Sequence, residues 1–145
     1  MFAFESALSG CDITFAIRNS SLEKCNILVR EIEEKLGKKC KTVSIDNAGE
    51  NYDLIINGTP VGMFPAVNAC PLSEKTIKTS NAVFDSIYNP SETLLLRYAK
   101  EAGIKSTNGL SMLVWQAAAA QEIWNGVRFE VTAVEKITEI ITNYE

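Results

Sequence analysis

The sequence contains no histidine, and this absence removes several classes of chemistry. Nucleophilic mechanisms built on a Ser-His-Asp or Cys-His arrangement need an imidazole base, and His-based zinc sites need the same ring as a ligand. Any acid–base step would therefore use a lysine, aspartate, glutamate or tyrosine side chain, or a group that another polypeptide supplies.

Long apolar runs and dense positive charge are also scarce. No stretch of about 18 apolar residues occurs, so the sequence predicts no membrane span. Residues 1–5 lack the basic region of a cleavable signal, and we therefore expect a cytoplasmic protein. The formal net charge of -4 disfavours sequence-independent binding of nucleic acid. A single dense basic cluster flanks a predicted helix end, as is typical of a solvated face: Lys35, Lys38, Lys39 and Lys41.

The cysteines show no spacing typical of metal ligands. The sequence has four of them: Cys11, Cys25, Cys40 and Cys70. Cys11 and Cys25 fall within apolar patterns. We interpret all four as reduced structural thiols and predict no metal site.

Short β-rich segments alternate with longer amphipathic stretches along the chain. Strands are predicted at residues 12–17, 41–45, 53–57, 82–87 and 104–107. Helices are predicted at residues 22–36, 90–102, 109–124 and 131–143. Ser20 and Glu23 stand at capping-box spacing ahead of the first of these helices, and Asn89 is the expected cap of the second. This alternation predicts an α/β fold with a parallel sheet flanked by helices, and the 145 residues fit one domain.

Ligands of parallel α/β sheets bind at the carboxyl ends of the strands, so the segments that follow the strands are the places to search. The longest irregular segment, residues 58–81, follows one of these strands and holds three of the four prolines. A loop of that length in a compact domain is usually functional.

Three motifs follow the last three predicted strands. Residues 57–63 read NGTPVGM, residues 88–93 read YNPSET, and residues 108–118 read NGLSMLVWQAA. In this order and at these spacings, the motifs closely resemble the nucleotide-binding domain of the shikimate and quinate dehydrogenase family. The resemblance covers nearly the whole chain.

The resemblance implies a Rossmann-like domain that follows an N-terminal substrate domain. The family interconverts shikimate and 3-dehydroshikimate with NADP, and hydride passes across the cleft between the two domains. Residues 1–145 would then form a partial NADP-binding domain with C-terminal helices. The implied ligands are NADP and shikimate or 3-dehydroshikimate, and the implied pathway is aromatic amino acid biosynthesis.

Arg18 is the residue that the resemblance assigns to the 2′-phosphate of NADP. The family usually has Asn-Arg-Thr at this point, whereas this chain reads Ile17-Arg18-Asn19. A planar guanidinium suits a phosphate dianion in both shape and charge. The alternative is an ordinary surface arginine.

The resemblance places the other cofactor residues in two motifs: Asn57, Thr59, Gly62, Met63, Gly109 and Met112. Asn57 and its neighbours match the loop along the nicotinamide ribose, although Asn-Gly is also a common turn dipeptide. Tyr88 and Gln116 are the implied substrate ligands. The alternatives are an amphipathic tyrosine at the core edge and a glutamine that bonds to nearby backbone. The helix that carries Gln116 is apolar nearly all round, which predicts a buried helix.

Two features of the family are not found in this sequence. The family's catalytic Lys and Asp reside in the N-terminal domain, so no catalytic residue is assigned here. No G-x-G-x-x-G turn is present either, which predicts a sheet that lacks its first, central strand and its diphosphate-binding helix end. We expect residues 12–17 and 53–57 to close that gap by pairing directly, or another chain to close it. A truncated dehydrogenase that is inactive alone is the favoured interpretation. A non-catalytic nucleotide-binding or interaction module is the alternative, and an N-terminal domain or a homo-oligomer is the expected partner.

Overall fold

The computed structural model describes residues 1–144, and their contacts divide the chain into two compact units, Met1–Gly49 and the residues from Glu50 onward. The first unit holds α1 (Phe2–Leu8), β1 (Thr14–Ile17), α2 (Leu22–Leu36) and β2 (Lys41–Ser44). The second unit holds β3 (Ile55–Asn57), α3 (Glu74–Lys78), β4 (Ala82–Asp85), α4 (Leu94–Glu101), β5 (Lys105–Thr107), α5 (Leu110–Asn125) and α6 (Val131–Tyr144).

In the first unit, β1 and β2 pair in parallel with α2 as their crossover. Thr14 lies opposite Lys41, and Ile17 lies opposite Ser44. The apolar stripe of α2 buries Cys25 and Ile32, as its spacing of three and four residues predicts. The expected capping box is wrong, because Ser21 is the N-cap residue and no side chain bonds to the start of the helix.

In the second unit, β3, β4 and β5 form a parallel sheet in chain order. Ile55 pairs with Val83, and Val83 pairs with Ser106. Helices α3 and α4 connect the strands and bury one apolar cluster: Ile55, Ile77, Val83, Leu95, Leu96 and Ala99. The predicted α/β fold with parallel strands and helical crossovers is confirmed.

Three further sequence-based expectations are wrong. Within the described residues β1 pairs only with β2 and β3 only with β4, so segments 12–17 and 53–57 do not pair directly. Helix α4 starts at Leu94 rather than residue 90, because Thr93, not Asn89, supplies the cap. Helix α5 is not buried all round: it buries Leu110 and Val114 and leaves most of its other side chains accessible.

The remaining expectations concern the cysteines and the membrane. All four cysteines are unpaired, and burial raises the pKa of the Cys70 thiol above its ordinary value. That thiol packs against the core of the second unit, so it contributes apolar packing and is a poor nucleophile.

No helix in the described part of the chain is long and apolar enough to cross a membrane.

We predict that Ile32→Ala lowers the free energy of unfolding by about 2–5 kcal/mol, because the fully buried side chain leaves a cavity in the first unit. Urea denaturation followed by circular dichroism measures this loss. Ile27→Ala is the matched control, since Ile27 is exposed on the same helix, and it should change stability by less than about 0.5 kcal/mol. Equal losses from both substitutions would contradict the position of α2 in the core.

Candidate functional site

A groove of about 460 Å³ lies at the carboxyl ends of β3 and β4. Its walls are the segment that follows β3 and the segment that follows β4. They contribute Gly58, Thr59, Pro60, Met63, Phe64, Ser86, Ile87, Tyr88 and Asn89. The lining combines apolar side chains with a few hydroxyl and amide groups, which is the usual make-up of a small-molecule site.

The carboxyl group of Asp85 organises the floor beneath this groove. Asp85 is the last residue of β4 and has an exposed fraction of 0%. Its Oδ1 accepts hydrogen bonds from Asn57 Nδ2 at 3.0 Å and from the Ile87 backbone N–H at 3.1 Å. Its Oδ2 accepts from Thr93 Oγ1 at 2.6 Å. All three partners donate, so one buried acidic side chain joins β3, the turn after β4 and the start of α4.

Asn57 carries this network to the groove wall. Its side-chain oxygen accepts from the Thr59 backbone N–H at 3.0 Å and from Thr59 Oγ1 at 2.7 Å. Its amide nitrogen also donates to the Val61 carbonyl at 3.3 Å. The Asn-Gly dipeptide is therefore a turn, as the simpler interpretation had it, and the turn is what places Thr59 in the groove.

Thr93 links the floor to helix α4. While its hydroxyl donates to Asp85, the same oxygen accepts from the Leu96 backbone N–H at 3.4 Å, the bond of an N-cap residue. Just before it, Glu92 accepts from Lys100 Nζ at 3.0 Å, and that bond lowers the pKa of the Glu92 carboxyl below its ordinary value. The YNPSET motif thus ends in a cap, and its polar residues orient the chain between Tyr88 and α4.

Gly62 and Gly109 are conformational requirements of the site. Gly62 has a φ of +102°, and a Cβ there would lie 3.2 Å from the Ala69 carbonyl oxygen. At Gly109 a Cβ would lie 2.1 Å from the Ser86 carbonyl oxygen, well inside contact distance. The Gly109 N–H also donates to the Ile87 carbonyl at 3.1 Å. Only a residue without a side chain lets the start of α5 approach the groove wall this closely.

The structure brings some of the predicted ligands together and separates others. Thr59, Met63 and Tyr88 line the groove, while Asn57 and Gly62 are buried in its supporting wall and Gly109 packs against Ser86. Met112 is half-buried and Gln116 is exposed on α5, and neither lines the groove. In the described residues the Gln116 side chain forms no hydrogen bond, so the alternative of a glutamine satisfied by backbone does not hold here.

Arg18 belongs to the first unit, where it follows β1 and precedes a single 3₁₀ turn at Asn19–Ser21. Its side chain is exposed and makes no ion pair within residues 1–144. It stands at the carboxyl end of its strand, which is the end where parallel sheets bind ligands.

The sequence identified neither Asp85 nor Thr93 as a candidate site residue. A signal was present, since a carboxylate in the otherwise apolar run 82–87 must find buried donors. Identifying those donors required the tertiary structure, because Asn57 lies 28 residues away.

We predict that Asp85→Ala lowers the free energy of unfolding by about 3 kcal/mol, because it leaves buried donors without an acceptor. Asp85→Asn should cost about 1 kcal/mol, since an amide oxygen can keep the bonds from Asn57 and Ile87. Thermal or urea unfolding checks both values. Asp53→Ala is the control, as exposed Asp53 accepts a single bond from Asn81, at 2.9 Å, and should cost less than about 1 kcal/mol. A loss at Asp53 equal to that at Asp85 would contradict the central position of Asp85.

We also predict that Gly109→Ala displaces residues 86–87 and costs more stability than Gly103→Ala. Gly103 has a φ of +70° and open space around it, so its substitution costs only the strain of the left-handed conformation, about 1–2 kcal/mol. Amide chemical shifts of Ile87 and Tyr88 should move in the first variant and not in the second. Unchanged shifts in Gly109→Ala would contradict the close approach.

Several known proteins with similar sequences carry the name of one enzyme family. The sequence model for the "Shikimate 5'-dehydrogenase C-terminal domain" matches residues 109–137. The shikimate dehydrogenase (NADP(+)) of Caldanaerobacter subterraneus subsp. tengcongensis is 45% identical over 127 residues, which cover 86% of this chain and 45% of that enzyme. The enzyme of the same name from Methanocaldococcus jannaschii is 39% identical over 147 residues, which cover 94% of this chain and 51% of that enzyme.

Solved structures agree with these relatives. A shikimate dehydrogenase in complex with NADP+ is 37% identical with a TM-score of 0.76, covering 94% of this chain and 48% of that chain. Shikimate 5-dehydrogenase from Listeria monocytogenes, in complex with shikimate and NAD, is 27% identical with a TM-score of 0.77. The match covers 94% of this chain and 50% of that chain. The chain spans about half the length of the curated relatives it matches. By sequence and by its Rossmann-like fold, the chain belongs to the shikimate dehydrogenase family of oxidoreductases.

Proposed function

We propose that the chain is the NADP-binding part of a shikimate dehydrogenase and has no catalytic activity by itself. With a substrate domain it would interconvert shikimate and 3-dehydroshikimate, a reaction of aromatic amino acid biosynthesis. The observation that carries the proposal is the groove at the carboxyl ends of β3 and β4, where Thr59, Met63 and Tyr88 meet. Relatives that match this chain are named for NADP(+), and one solved neighbour holds NADP+.

The groove fits the nicotinamide end of the cofactor. Met63 and Ile87 offer an apolar surface to a flat ring, while Thr59 and Asn89 offer polar atoms to a ribose. The hydrogen bonds around Asn57 hold the Thr59 turn rigid before any ligand arrives, which reduces the entropy lost on binding. When bound, the nicotinamide supplies the acceptor or donor of the hydride.

Arg18 would bind the 2′-phosphate of NADP. A free guanidinium at a strand end suits a phosphate, whereas an acid at that place would favour the free ribose hydroxyl of NAD. The chain contains no G-x-G-x-x-G turn for the diphosphate. We therefore propose that this phosphate contact and the nicotinamide contacts supply what affinity the chain has.

The proton chemistry would come from a partner. Oxidation of an alcohol requires a base for the hydroxyl proton, and no residue of this chain matches the family's Lys and Asp. Tyr88 and Gln116 would contact the substrate rather than remove its proton. Both side chains are exposed. This exposure is expected if this chain forms one wall of a cleft and an N-terminal substrate domain forms the other.

A test of the function measures NADPH formation from NADP and shikimate by absorbance. The chain alone should give no turnover. Fusion of the N-terminal part of the Caldanaerobacter relative ahead of this chain should give steady turnover, and Tyr88→Phe in the fusion should raise KM for shikimate. Turnover by the chain alone would contradict the proposed inactivity. NADP binding by a well-folded fusion without turnover would instead support a non-catalytic nucleotide-binding module.

We predict that Arg18→Met weakens NADP binding by roughly 10- to 100-fold and leaves NAD binding unchanged, because one charge-assisted contact is worth about 1.5–3 kcal/mol. Isothermal titration of the fusion with each cofactor measures both affinities. Arg30→Met, which removes an exposed charge from α2, controls for net charge and should change neither affinity. An equal loss for NADP and NAD would exclude Arg18 as a 2′-phosphate ligand.

A further inference from the structure

The hydroxyl group of Thr59 has a fixed direction of hydrogen bonding. Its oxygen lies 2.7 Å from the side-chain oxygen of Asn57. One of these two oxygens must supply the proton, and an amide oxygen carries none. With the Asn57 amide oriented in this way, the Thr59 hydroxyl must therefore donate to it.

Three contacts fix the orientation of the Asn57 amide. The Thr59 backbone N–H, which can only donate, lies 3.0 Å from the amide oxygen. The amide nitrogen lies 3.3 Å from the Val61 carbonyl oxygen, which can only accept. It also donates at 3.0 Å to Asp85 Oδ1, an oxygen that accepts from the Ile87 backbone N–H as well. Rotation of the amide by 180° would set a donor against a donor or an acceptor against an acceptor at all three contacts.

The remaining hydrogen-bonding capacity of the Thr59 hydroxyl is small. A hydroxyl group offers one proton and two lone pairs. Its proton goes to Asn57, and one lone pair accepts from the Val61 backbone N–H at 3.3 Å. Thr59 is exposed and lines the groove. Its hydroxyl can therefore offer a ligand one lone pair and no proton.

Two other hydroxyl groups of the groove differ from that of Thr59. Within the described residues, the Ser86 and Tyr88 side chains form no hydrogen bond. Each hydroxyl can therefore rotate its proton toward a ligand atom that accepts. Phosphate and carboxylate oxygens, which only accept, can bond to these two hydroxyls but not to that of Thr59.

We propose that Thr59 is a specificity-determining residue, which accepts a hydrogen bond from a hydroxyl or amide N–H of the ligand and rejects phosphate and carboxylate oxygens. The inference rests on the proposed function, which puts the nicotinamide end of NADP in the groove. That end carries suitable donors on its ribose hydroxyls and on its carboxamide. Asn57 is a positioning residue, because its oxygen engages the Thr59 proton before the ligand arrives.

Neutron diffraction from a crystal of the ligand-free chain in D₂O tests the direction of the Thr59 hydroxyl. Neutron maps locate deuterium, whereas X-ray maps at ordinary resolution do not. The deuteron should lie between Thr59 Oγ1 and Asn57 Oδ1. A deuteron that points into the groove would overturn the proposal, whatever the ligand is.

Binding of nicotinamide mononucleotide to the intact chain tests the ligand side. Three analogues each remove one donor: the 2′-fluoro and 3′-fluoro ribose forms, since fluorine cannot donate, and the 3-acetylpyridine form, which lacks the carboxamide N–H. An NMR titration that follows the Tyr88 amide measures each dissociation constant. The analogue that lacks the donor to Thr59 should bind roughly 3- to 10-fold more weakly than the parent, as expected for one lost hydrogen bond.

Substitution of Thr59 separates this bond from other effects of the analogues. Thr59→Val removes the hydroxyl at nearly constant shape. It should weaken binding of the parent by the same factor and leave the affinity for that one analogue unchanged. Thr59→Ser keeps the hydroxyl and should retain the affinity for the parent. Thr132→Val, at an exposed threonine of α6, is the matched control and should change neither affinity.

Two results distinguish failure of this inference from failure of the proposed function. If the parent binds and Thr59→Val weakens all four ligands equally, the acceptor role of Thr59 is wrong and the nicotinamide site stands. If the parent does not bind at about 10 mM, the groove does not take the nicotinamide end, and both proposals fail.

Discussion

The second unit depends on one buried carboxyl group and the hydrogen bonds that satisfy it. Asp85 lies at the end of the middle strand, and its oxygens accept from β3 through Asn57, from its own turn through Ile87, and from the start of α4 through Thr93. Burying a carboxyl group costs free energy unless hydrogen-bond donors surround it. The three donors therefore fix the positions of the three segments that carry them. Because each segment continues directly into a wall of the groove, the same bonds that stabilise the fold also set the shape of the site.

Close backbone packing completes this arrangement. Gly109 brings the start of α5 against the Ser86 carbonyl, and Gly62 turns the loop after β3 in a left-handed conformation. The motif residues at the groove therefore divide into two groups. Thr59, Met63 and Tyr88 face the groove, whereas Asn57, Gly62 and Gly109 build the wall behind them. A motif match alone does not separate these groups, although substitutions in them would have different effects on stability and binding.

Helix α5 shows where sequence reasoning about burial fails. Its near lack of charge predicts a buried helix, but in this chain α6 covers only one side, through Leu110, Val114 and Val134. An apolar composition predicts that a helix packs against other surfaces. It does not predict whether the same chain supplies those surfaces. The exposure of Gln116 and of the apolar end of α5 follows from this single difference.

The sequence by itself determined the class of fold, the order of the five strands and of α2, α4, α5 and α6, and the family, because periodicity, turn residues and ordered motifs are local properties of the chain. It did not predict α1 or α3, and it described the segment that holds α3 as irregular. It predicted α2 from residue 22 to residue 36, and the structure agrees. It misplaced the start of α4, because Asn89-Pro90 is a plausible local cap and the real cap, Thr93, is selected by a bond to Asp85 eight residues away. Only the tertiary structure decided which motif residues share a groove and which side of α5 is covered, since both depend on contacts between segments distant in sequence.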